Sequence, residues 1–234
     1  MRLKDYDSQD GKRVWLSEDE LQLLLNHVDE NHLEADFALR LMARSGLRRR
    51  EVTGDGDRHG IRFADVRETD VGSVVRVWAG KGEKYRETPA PRNFASEVSV
   101  YRQSTGRDVD AEIVQAHDST LYDWGERARQ RCRAKTGDEG WQFVGPHDLR
   151  RSWGIRMLEE GVLPSVVMEW GGWEDWQTFR DHYLAEFSPE ALRRERSKVS
   201  WLPGRAESES GDRYSVVEPR ASGAANQRAE QGRW

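Results

Sequence analysis

ARSGLRRREV, residues 43–52, is the stretch at which one periodicity of the chain ends and another begins. Before it, Leu33, Phe37 and Leu41 follow helical spacing, and Gly46 lies where a left-handed residue commonly ends a helix. Beyond it, apolar residues alternate with polar ones, as they do in strands. The stretch therefore joins a helix to a small sheet and places an arginine at a reversal of the chain.

The spacing of apolar residues and the capping residues along the rest of the sequence predict a mainly helical chain. Ser17 and Glu20 form a capping box before an apolar helical stripe, which predicts a first helix over 18–31, followed by a second over 33–45. The predicted strands of an antiparallel meander are 61–66, 74–78 and 85–88. Further helices are predicted at 93–103, 119–134, 147–160, 164–170 and 188–198. The predicted fold class is mainly α with a small antiparallel β-sheet (α+β).

Composition divides the chain into one domain and two flanking segments. Residues 202–234 are rich in Gly, Ser, Pro, Ala and charges, so they bury too little apolar surface to offset their ordering entropy. We expect a disordered polar tail there, a flexible N-terminus over 1–13 and one folded domain over 14–201. A single cysteine, Cys132, excludes a disulfide framework, and no apolar run approaches the ~18 residues of a membrane span. These features predict a cytoplasmic protein without membrane contact.

The charges of the chain give two opposite indications. Lys plus Arg number 37 and Asp plus Glu number 42, and the net charge of −5 argues against nucleic-acid binding through the overall field. Only six basic residues are lysines, which leaves 37 − 6 = 31 arginines, whose planar fork suits phosphates. The acidic total and the mean hydropathy of −0.91 are typical of a salt-adapted organism. We therefore expect a basic groove on an acidic body.

Four separated segments concentrate groups that bind or attack phosphates. The first is the opening stretch, with Arg48 just after the helix end. The second is a hairpin over 78–89, and its tip carries two of the six lysines, Lys81 and Lys84. A lysine can give up a proton at accessible pH, whereas an arginine effectively cannot. These two segments therefore supply an anion ligand and a candidate proton donor.

The other two segments lie in the second half of the chain. Residues 145–153, GPHDLRRSW, put His147 and Arg150 on one face near a helix N-terminus, where backbone N–H groups favour an anion. Residues 169–184, EWGGWEDWQTFRDHYL, place Tyr183 behind a glycine-aromatic turn. Each segment alone is weak evidence, but their order along the chain is informative.

In that order, the four segments resemble the tyrosine recombinase (integrase) family. Ser-Gly-Leu-Arg-x-x-Glu-Val at 45–52 is similar to the family's first box, and the hairpin is similar to its Gly-Lys-Gly-x-Lys motif. Residues 147–150 match its His-x-x-Arg box. The resemblance extends over residues 40–187 and implies the catalytic-domain fold of that family. It also implies an enzyme that cuts and rejoins duplex DNA through a covalent 3′-phosphotyrosyl intermediate, without a metal ion or cofactor.

The resemblance assigns roles to individual side chains. Tyr183 is the implied nucleophile, Arg48 and Arg150 the ligands of the non-bridging oxygens, and His147 a partner for the tyrosine proton or the phosphate. The implied catalytic set is Arg48, Lys81, His147, Arg150, Trp173 and Tyr183. Lys81 is the general acid with Lys84 as the alternative, and Glu51 supports Arg48 or is a plain helix carboxylate.

The fourth segment departs from the family pattern. Ten positions separate Trp173 from Tyr183, one more than the family's usual spacing, and Gly-Gly-Trp replaces the usual Gly-His. Trp173 is therefore either the last phosphate ligand or a core residue beside Trp170 and Trp176. His182 is the other candidate for that phosphate contact.

The implied partner is duplex DNA carrying attachment sites. We expect the chain to assemble as a dimer or tetramer on that DNA and to use accessory DNA-binding proteins, because we expect no separate core-binding domain. The predicted function is integration or excision of a viral or mobile element, such as a haloarchaeal provirus. A resolvase, an invertase or a non-cutting DNA-binding module of the same fold stays open, whereas no paired-carboxylate motif supports a metal-dependent nuclease. The expected DNA contacts are Arg44, Arg49, Arg50, Arg86, Arg127, Arg131 and Arg151.

Overall fold

The helix that ends at Gly46 lies at the centre of the computed structural model, which describes residues 1–6, 10–29, 32–78, 85–184 and 187–201. This helix, α2 (Leu33–Ser45), buries Phe37, Leu39 and Met42, which point in different directions around its axis. A helix that is apolar on most sides must be enclosed by other elements. Elements formed after Gly46 therefore have to pack against α2 and bury its apolar side chains.

The elements that enclose α2 are short helices and two small antiparallel sheets. The other helices are α1 (Glu18–Asn26), α3 (Arg49–Thr53), α4 (Phe94–Thr105), α5 (Asp118–Thr136), α6 (Pro146–Glu159), α7 (Pro164–Gly171), α8 (Trp176–Phe179) and α9 (Pro189–Ser197). The strands are β1 (Arg2–Asp5), β2 (Lys12–Trp15), β3 (Val66–Thr69), β4 (Gly72–Val77) and β5 (Arg86–Pro89). Single turns of 3-10 helix cover Phe63–Asp65 and Glu139–Phe143, and a π-helical turn covers Arg180–Leu184.

The second sheet carries side chains toward the end of α2. Its strand order is β3-β4-β5, with Val75 opposite both Val66 and Thr88, and Val77 opposite Arg86. Because alternate residues of a strand face opposite sides, Arg86 and Thr88 share the buried face with the inward valines. The Thr88 hydroxyl donates to the carbonyl of Ser45 at 2.8 Å and so couples the sheet to the end of α2.

The N-terminal residues form a hairpin, which corrects the expectation of a flexible segment over 1–13. β1 and β2 pair antiparallel, with Leu3 opposite Val14. Two side chains of α6 hold the second strand, since Asp148 accepts from the Val14 amide at 3.2 Å and Ser152 accepts from the Leu16 amide at 2.9 Å. These long-range hydrogen bonds, rather than the composition of the segment itself, order it.

Two hydrophobic clusters lie on either side of α6. The larger cluster surrounds α2 and includes residues of the sheet, α1, α4 and α5. The smaller cluster is built from α6, α7 and the segment around α8, and its buried members are Trp15, Trp153, Ile155, Leu158, Val167, Phe179 and Tyr183. Tyr183 is therefore part of a packed aromatic cluster.

The structure confirms the mainly α fold with a small antiparallel sheet and the second helix over 33–45. The capping box of Ser17 and Glu20 is formed, but α1 ends at Asn26 and not at the predicted residue 31. It ends there because the amides of His27 and Val28 donate to carbonyls three residues earlier, not four. The strand expected over 61–66 is also wrong in its first part. Ile61 pairs with Val52 and Ile113, and regular sheet pairing begins only at Val66.

The larger of the two compact units of the chain ends at Ala191, and the tail predicted over 202–234 lies outside the described residues. Among the helices that the structure describes, none combines the length and the apolar character needed to cross a bilayer.

Gly46 offers a direct test of how α2 and α6 pack. A Cβ atom at this left-handed position (φ +67°) would lie 2.3 Å from the Trp153 ring, whereas at Gly137, which ends α5 with φ +70°, it would meet nothing within 4 Å. Gly137→Ala should cost about 1–2 kcal/mol of unfolding free energy for the left-handed backbone alone. Gly46→Ala should cost about 1–3 kcal/mol more, because a buried ring must move. Urea unfolding of the two variants measures the difference, and equal losses would contradict close packing of Gly46 against Trp153.

Candidate active site

A buried ion pair between Glu51 and Arg86 lies at the centre of the site. The two guanidinium nitrogens of Arg86 donate to the two carboxylate oxygens of Glu51 at 2.9 and 2.7 Å, and its Nε donates to the Trp170 carbonyl at 2.9 Å. Both side chains are less than a tenth exposed. This bidentate geometry joins α3, β5 and α7 through a single carboxylate.

The same carboxylate orients Arg48, the first predicted phosphate ligand. Glu51 accepts from the Arg48 guanidinium at 2.8 Å and from the Arg48 amide at 2.7 Å. The other end of that guanidinium donates to the carbonyl of Gly172 at 3.0 Å. Arg48 is thus fixed at the start of α3 while 28% of its side chain stays exposed, so it can still reach a ligand.

Arg150, the second predicted ligand, enters the cluster from α6. Its guanidinium donates to the carbonyls of Gly46 and Gly171, the latter at 2.6 Å, and the residue is only 1% exposed. The indole ring of Trp173 covers it, with 4.1 Å between the guanidinium carbon and the ring centroid. Backbone carbonyls from two helix ends therefore position this arginine, and a cation–π contact shields it from water.

The electrostatics of the cluster favour an anion. Burial by itself would raise the pKa of Glu51, but the hydrogen bonds and charge of Arg86, with the charges of Arg48 and Arg150, lower it to about 2. Burial, together with the charge of Arg48, lowers the pKa of Arg150 to about 9, so Arg150 still carries its proton at neutral pH. One carboxylate thus faces three guanidiniums, and the excess positive charge makes an anionic ligand favourable here.

Trp173 connects the arginines to Tyr183. Its ring stacks on Trp153 with centroids 6.0 Å apart and meets the edge of the Tyr183 ring at 4.8 Å. Trp173 therefore packs in the smaller cluster and also covers Arg150, whereas its contact with a phosphate stays a prediction. Its aromatic neighbours include Phe179 rather than the predicted Trp176, whose side chain is exposed.

Tyr183 is seated in this aromatic cluster with 3% of its surface exposed. Its ring stacks on Phe179 at 4.9 Å and lies so close to Gly154 that a Cβ atom there would be 2.9 Å from it. Burial raises the pKa of the Tyr183 phenol, and the positive charge of Arg150 opposes part of that rise. The hydroxyl is therefore protonated at neutral pH and needs a base before it can act as a nucleophile.

The extra residue between Trp173 and Tyr183 coincides with the π-helical turn Arg180–Leu184. A π-turn bonds residue i to residue i+5 and so holds one more residue than an α-turn. We infer that this turn accommodates the additional position and lets Tyr183 pack beside Trp173 despite the longer spacing.

His147 and the arginines border a shared cavity of about 390 Å³. His147 is exposed at the start of α6, one turn before Arg150. The lining side chains are mostly basic or aromatic, and they are Arg48, Arg49, Arg50, Tyr122, His147 and Arg150, together with Met42, Leu47 and Pro146. The structure therefore brings together Arg48, His147, Arg150, Trp173 and Tyr183 from separated segments. Lys81 and Lys84 lie outside the described residues, and so does the side chain of His182, so their roles stay predictions.

Two of the expected DNA contacts are corrected by their burial. Arg86 belongs to the Glu51 pair, and Arg151 is 6% exposed, where it pairs with Asp148 and donates to the Tyr6 hydroxyl at 3.3 Å. Neither guanidinium faces solvent, so neither is available as a surface phosphate contact in this structure.

The remaining expected contacts are more accessible. Arg49 and Arg50 both approach Asp118, at 3.0 and 3.8 Å, and Arg50 keeps 71% of its side chain exposed. Arg44 is bound bidentately by Glu18 and is less open, whereas Arg127 and Arg131 are exposed on α5. Their contact with DNA stays a prediction.

Sequence reasoning missed the roles of two residues in this region. Arg86 was placed with the surface arginines, although its alternation with Thr88 and its position opposite the β4 valines put it on the buried face. Tyr122 was not singled out, and its cavity position depends on how α5 packs against α3. Among the described residues, no group of three or more His, Cys, Asp or Glu side chains is arranged to hold a metal ion.

Comparison with known proteins gives concordant results. Residues 14–189 match the model of the phage integrase family. The chain is 27% identical over 154 residues to the tyrosine recombinase XerA of Thermococcus kodakarensis, an alignment that covers 66% of this chain and 52% of that protein. It therefore spans about half the length of that relative.

Solved structures agree on the fold. A crystal structure of XerA recombinase superimposes with a TM-score of 0.58 at 22% identity, over 79% of this chain and 64% of that one. The XerH site-specific recombinase bound to its palindromic difH substrate in a post-cleavage complex superimposes with a TM-score of 0.57 at 17% identity, over 80% and 52% of the two chains. At this identity the similarity shows the fold alone.

The Glu51 cluster predicts a specific dependence of stability on pH. Because the folded-state pKa of Glu51 lies below its ordinary 4.5, its contribution is complete above pH 4.5 and is lost as pH falls through about 2. Glu51→Gln should therefore cost about 3–5 kcal/mol at pH 7, since it leaves buried guanidiniums uncompensated. The deficit relative to wild type should shrink between pH 4.5 and 3 in urea unfolding at constant ionic strength.

Glu126→Gln is the matched control, because Glu126 pairs with Arg129 at 3.0 Å near the surface. Its cost should stay below about 1 kcal/mol. A Glu51→Gln deficit that does not change from pH 7 to pH 3 would contradict the assignment of Glu51 as the depressed carboxylate.

Deletions test whether the π-turn accommodates the extra residue. Deleting Asp181 should convert the turn to an α-turn and change the unfolding free energy by less than about 1 kcal/mol, because Tyr183 keeps its direction. Deleting both Arg180 and Asp181 should rotate Tyr183 by about 100° out of the aromatic cluster and lower the unfolding free energy by about 2–4 kcal/mol, because its packing is lost. Equal losses for the two deletions, measured by urea unfolding, would refute this interpretation.

Proposed function

The chain belongs to the phage integrase family, and on that premise we propose that it cuts and rejoins duplex DNA by transesterification at Tyr183. The observation that carries the proposal is the convergence of Arg150 and Tyr183 on Trp173, with Arg48 bound to the neighbouring Gly172 carbonyl. These groups come from separate segments and supply the two requirements of phosphoryl transfer, a nucleophile and cationic ligands for the phosphate.

In the proposed reaction, the Tyr183 oxygen attacks the scissile phosphorus, and the bond from phosphorus to the 5′-oxygen of the next nucleotide breaks. The product is a 3′-phosphotyrosyl link and a free 5′-hydroxyl. His147 accepts the phenolic proton, and Lys81 or Lys84 protonates the departing oxygen. The reverse attack by a 5′-hydroxyl reseals the strand, so the phosphodiester energy is retained and no nucleotide cofactor is consumed.

Arg48 and Arg150 stabilise the charge that grows on the non-bridging oxygens. Their guanidiniums are held by carbonyls and by Glu51 before the substrate binds, so little reorganisation is needed during the reaction. Preorganised donors of this kind typically lower a barrier by about 3–4 kcal/mol. Glu51 and Arg86 act as positioning residues, because Glu51 binds Arg48 and Arg86 holds Glu51 in place.

The seat of Tyr183 adds one requirement to this scheme. Because only 3% of the residue is exposed, the Tyr183 side chain has to move out from between the rings of Trp173 and Phe179 before its hydroxyl reaches a phosphate in the neighbouring cavity. Within the described residues, the turn Arg180–Leu184 is the part of the chain that has to move. Bound DNA would supply the anion that draws the hydroxyl toward the arginines.

The biological setting follows from the same proposal. The substrate would be duplex attachment sites of a viral or mobile element, cut by copies of the chain assembled on DNA with accessory DNA-binding proteins, in the cytoplasm. Integration, excision, resolution and inversion share this chemistry. The burial of Tyr183 favours one alternative of another class, a DNA-binding module that does not cut.

Covalent capture tests the proposal. A pool of duplexes with randomised sequence, each nicked a few nucleotides from the candidate cleavage position, would be incubated with the full chain in EDTA. The short released strand diffuses away, so a cutting enzyme stays attached to the 3′-phosphate and migrates as an SDS-resistant adduct. We expect wild type to form this adduct and Tyr183→Phe to form none.

Tyr101→Phe is the matched control, because Tyr101 is a buried tyrosine that packs against Phe37 in the larger cluster. It should retain the adduct. Sequencing the captured DNA identifies the attachment site. Binding by wild type without any adduct would establish the non-cutting module instead, and adduct that persists in Tyr183→Phe would exclude Tyr183 as the nucleophile.

A further inference from the structure

A second tyrosine, Tyr122, lines the cavity that the phosphate-binding arginines border. It lies in the first turns of α5, with 40% of the residue exposed. Its hydroxyl makes no hydrogen bond to another residue in the part of the chain that the structure describes. The side chain thus presents an unused donor beside Arg48, His147 and Arg150.

The position of Tyr122 is fixed by contacts one helical turn earlier. Asp118 begins α5 and pairs with Arg49 at 3.0 Å and with Arg50 at 3.8 Å, which ties the helix to α3. Residues four apart lie on the same face of a helix, so Tyr122 stands on the face that Asp118 directs toward α3. Its place in the cavity is therefore set by the same helix that carries Glu51.

The cavity is larger than one phosphate requires. Its volume is about 390 Å³, whereas a phosphate group fills only a few times the roughly 30 Å³ of a water molecule. Four arginines and an imidazole line it, and no carboxylate does. A stretch of DNA backbone longer than the scissile group would fill this space with complementary charge.

We propose that Tyr122 is a DNA-binding residue whose hydroxyl donates a hydrogen bond to a phosphate next to the scissile one. The inference rests on the proposed function and extends its site by one backbone contact. Tyr183 keeps the role of nucleophile. Tyr122 lies on a regular helix that is bound to α3, so its hydrogen bond holds the DNA strand in place. The π-turn meanwhile positions Tyr183 for attack.

Single substitutions in protein and DNA test this contact together. The probe is a duplex of the captured sequence, or a mixed-sequence duplex if none is captured, and the readouts are equilibrium binding and single-turnover adduct formation. Tyr122→Phe should weaken binding or slow adduct formation about tenfold, as expected for the loss of a hydrogen bond to a charged group. Its urea midpoint should equal that of wild type, and Tyr101→Phe should bind and react normally.

Neutral methylphosphonate groups, placed one at a time on either side of the scissile position, locate the contact. At one position the modification should slow wild type about tenfold and leave Tyr122→Phe unchanged, because the hydrogen bond is already absent. Effects that add at every position would overturn the proposal, as would normal binding and reaction by Tyr122→Phe. Mapping of the adduct to Tyr122 by mass spectrometry would also overturn it.

These outcomes separate the two proposals. Absence of adduct from wild type refutes the proposed enzyme, and the binding readout still decides whether Tyr122 contacts DNA. A normal adduct from wild type with no effect of Tyr122→Phe refutes only the contact.

Discussion

The bidentate pair between Glu51 and Arg86 is the interaction on which the rest of the site depends. It joins the short helix after Gly46, the last strand of the sheet and the carbonyl end of α7, three elements that are distant in sequence. The same carboxylate holds Arg48, so the position of a phosphate ligand follows from a buried ion pair. Breaking a buried pair of this kind leaves an uncompensated charge, which is costly to the fold and to the site together.

Charge balance then explains why the site favours a phosphate. Glu51 offsets only part of the charge of Arg48, Arg86 and Arg150, and Trp173 shields Arg150 from water. A buried excess of positive charge is unfavourable in the free protein and is relieved by an anion. The acidic total of the chain is compatible with this arrangement, because four arginines and, among the described residues, no carboxylate line this one cavity.

The sequence predicted those features that depend on local signals. Gly46 ended α2 as expected, and the capping box of Ser17 started α1, because both depend on neighbours in the chain. The N-terminal hairpin was missed because its order comes from hydrogen bonds to Asp148 and Ser152, far away in sequence. The arginine and tyrosine boxes could be identified, and so could Glu51 as a support of Arg48, but the part played by Arg86 could not. Arg86 lies inside the site because of strand register, a property of the folded sheet.

The most direct test of this account compares charged and neutral scissile groups. Single-turnover cleavage would be measured for wild type and Arg48→Ala on a nicked duplex and on the same duplex with a methylphosphonate at the scissile position. If Arg48 acts by neutralising charge, its loss should slow cleavage about 10²–10³-fold on the phosphate and less than tenfold on the methylphosphonate. An equal loss on both substrates would contradict the claim that the Glu51-centred arginines form a preorganised phosphate clamp.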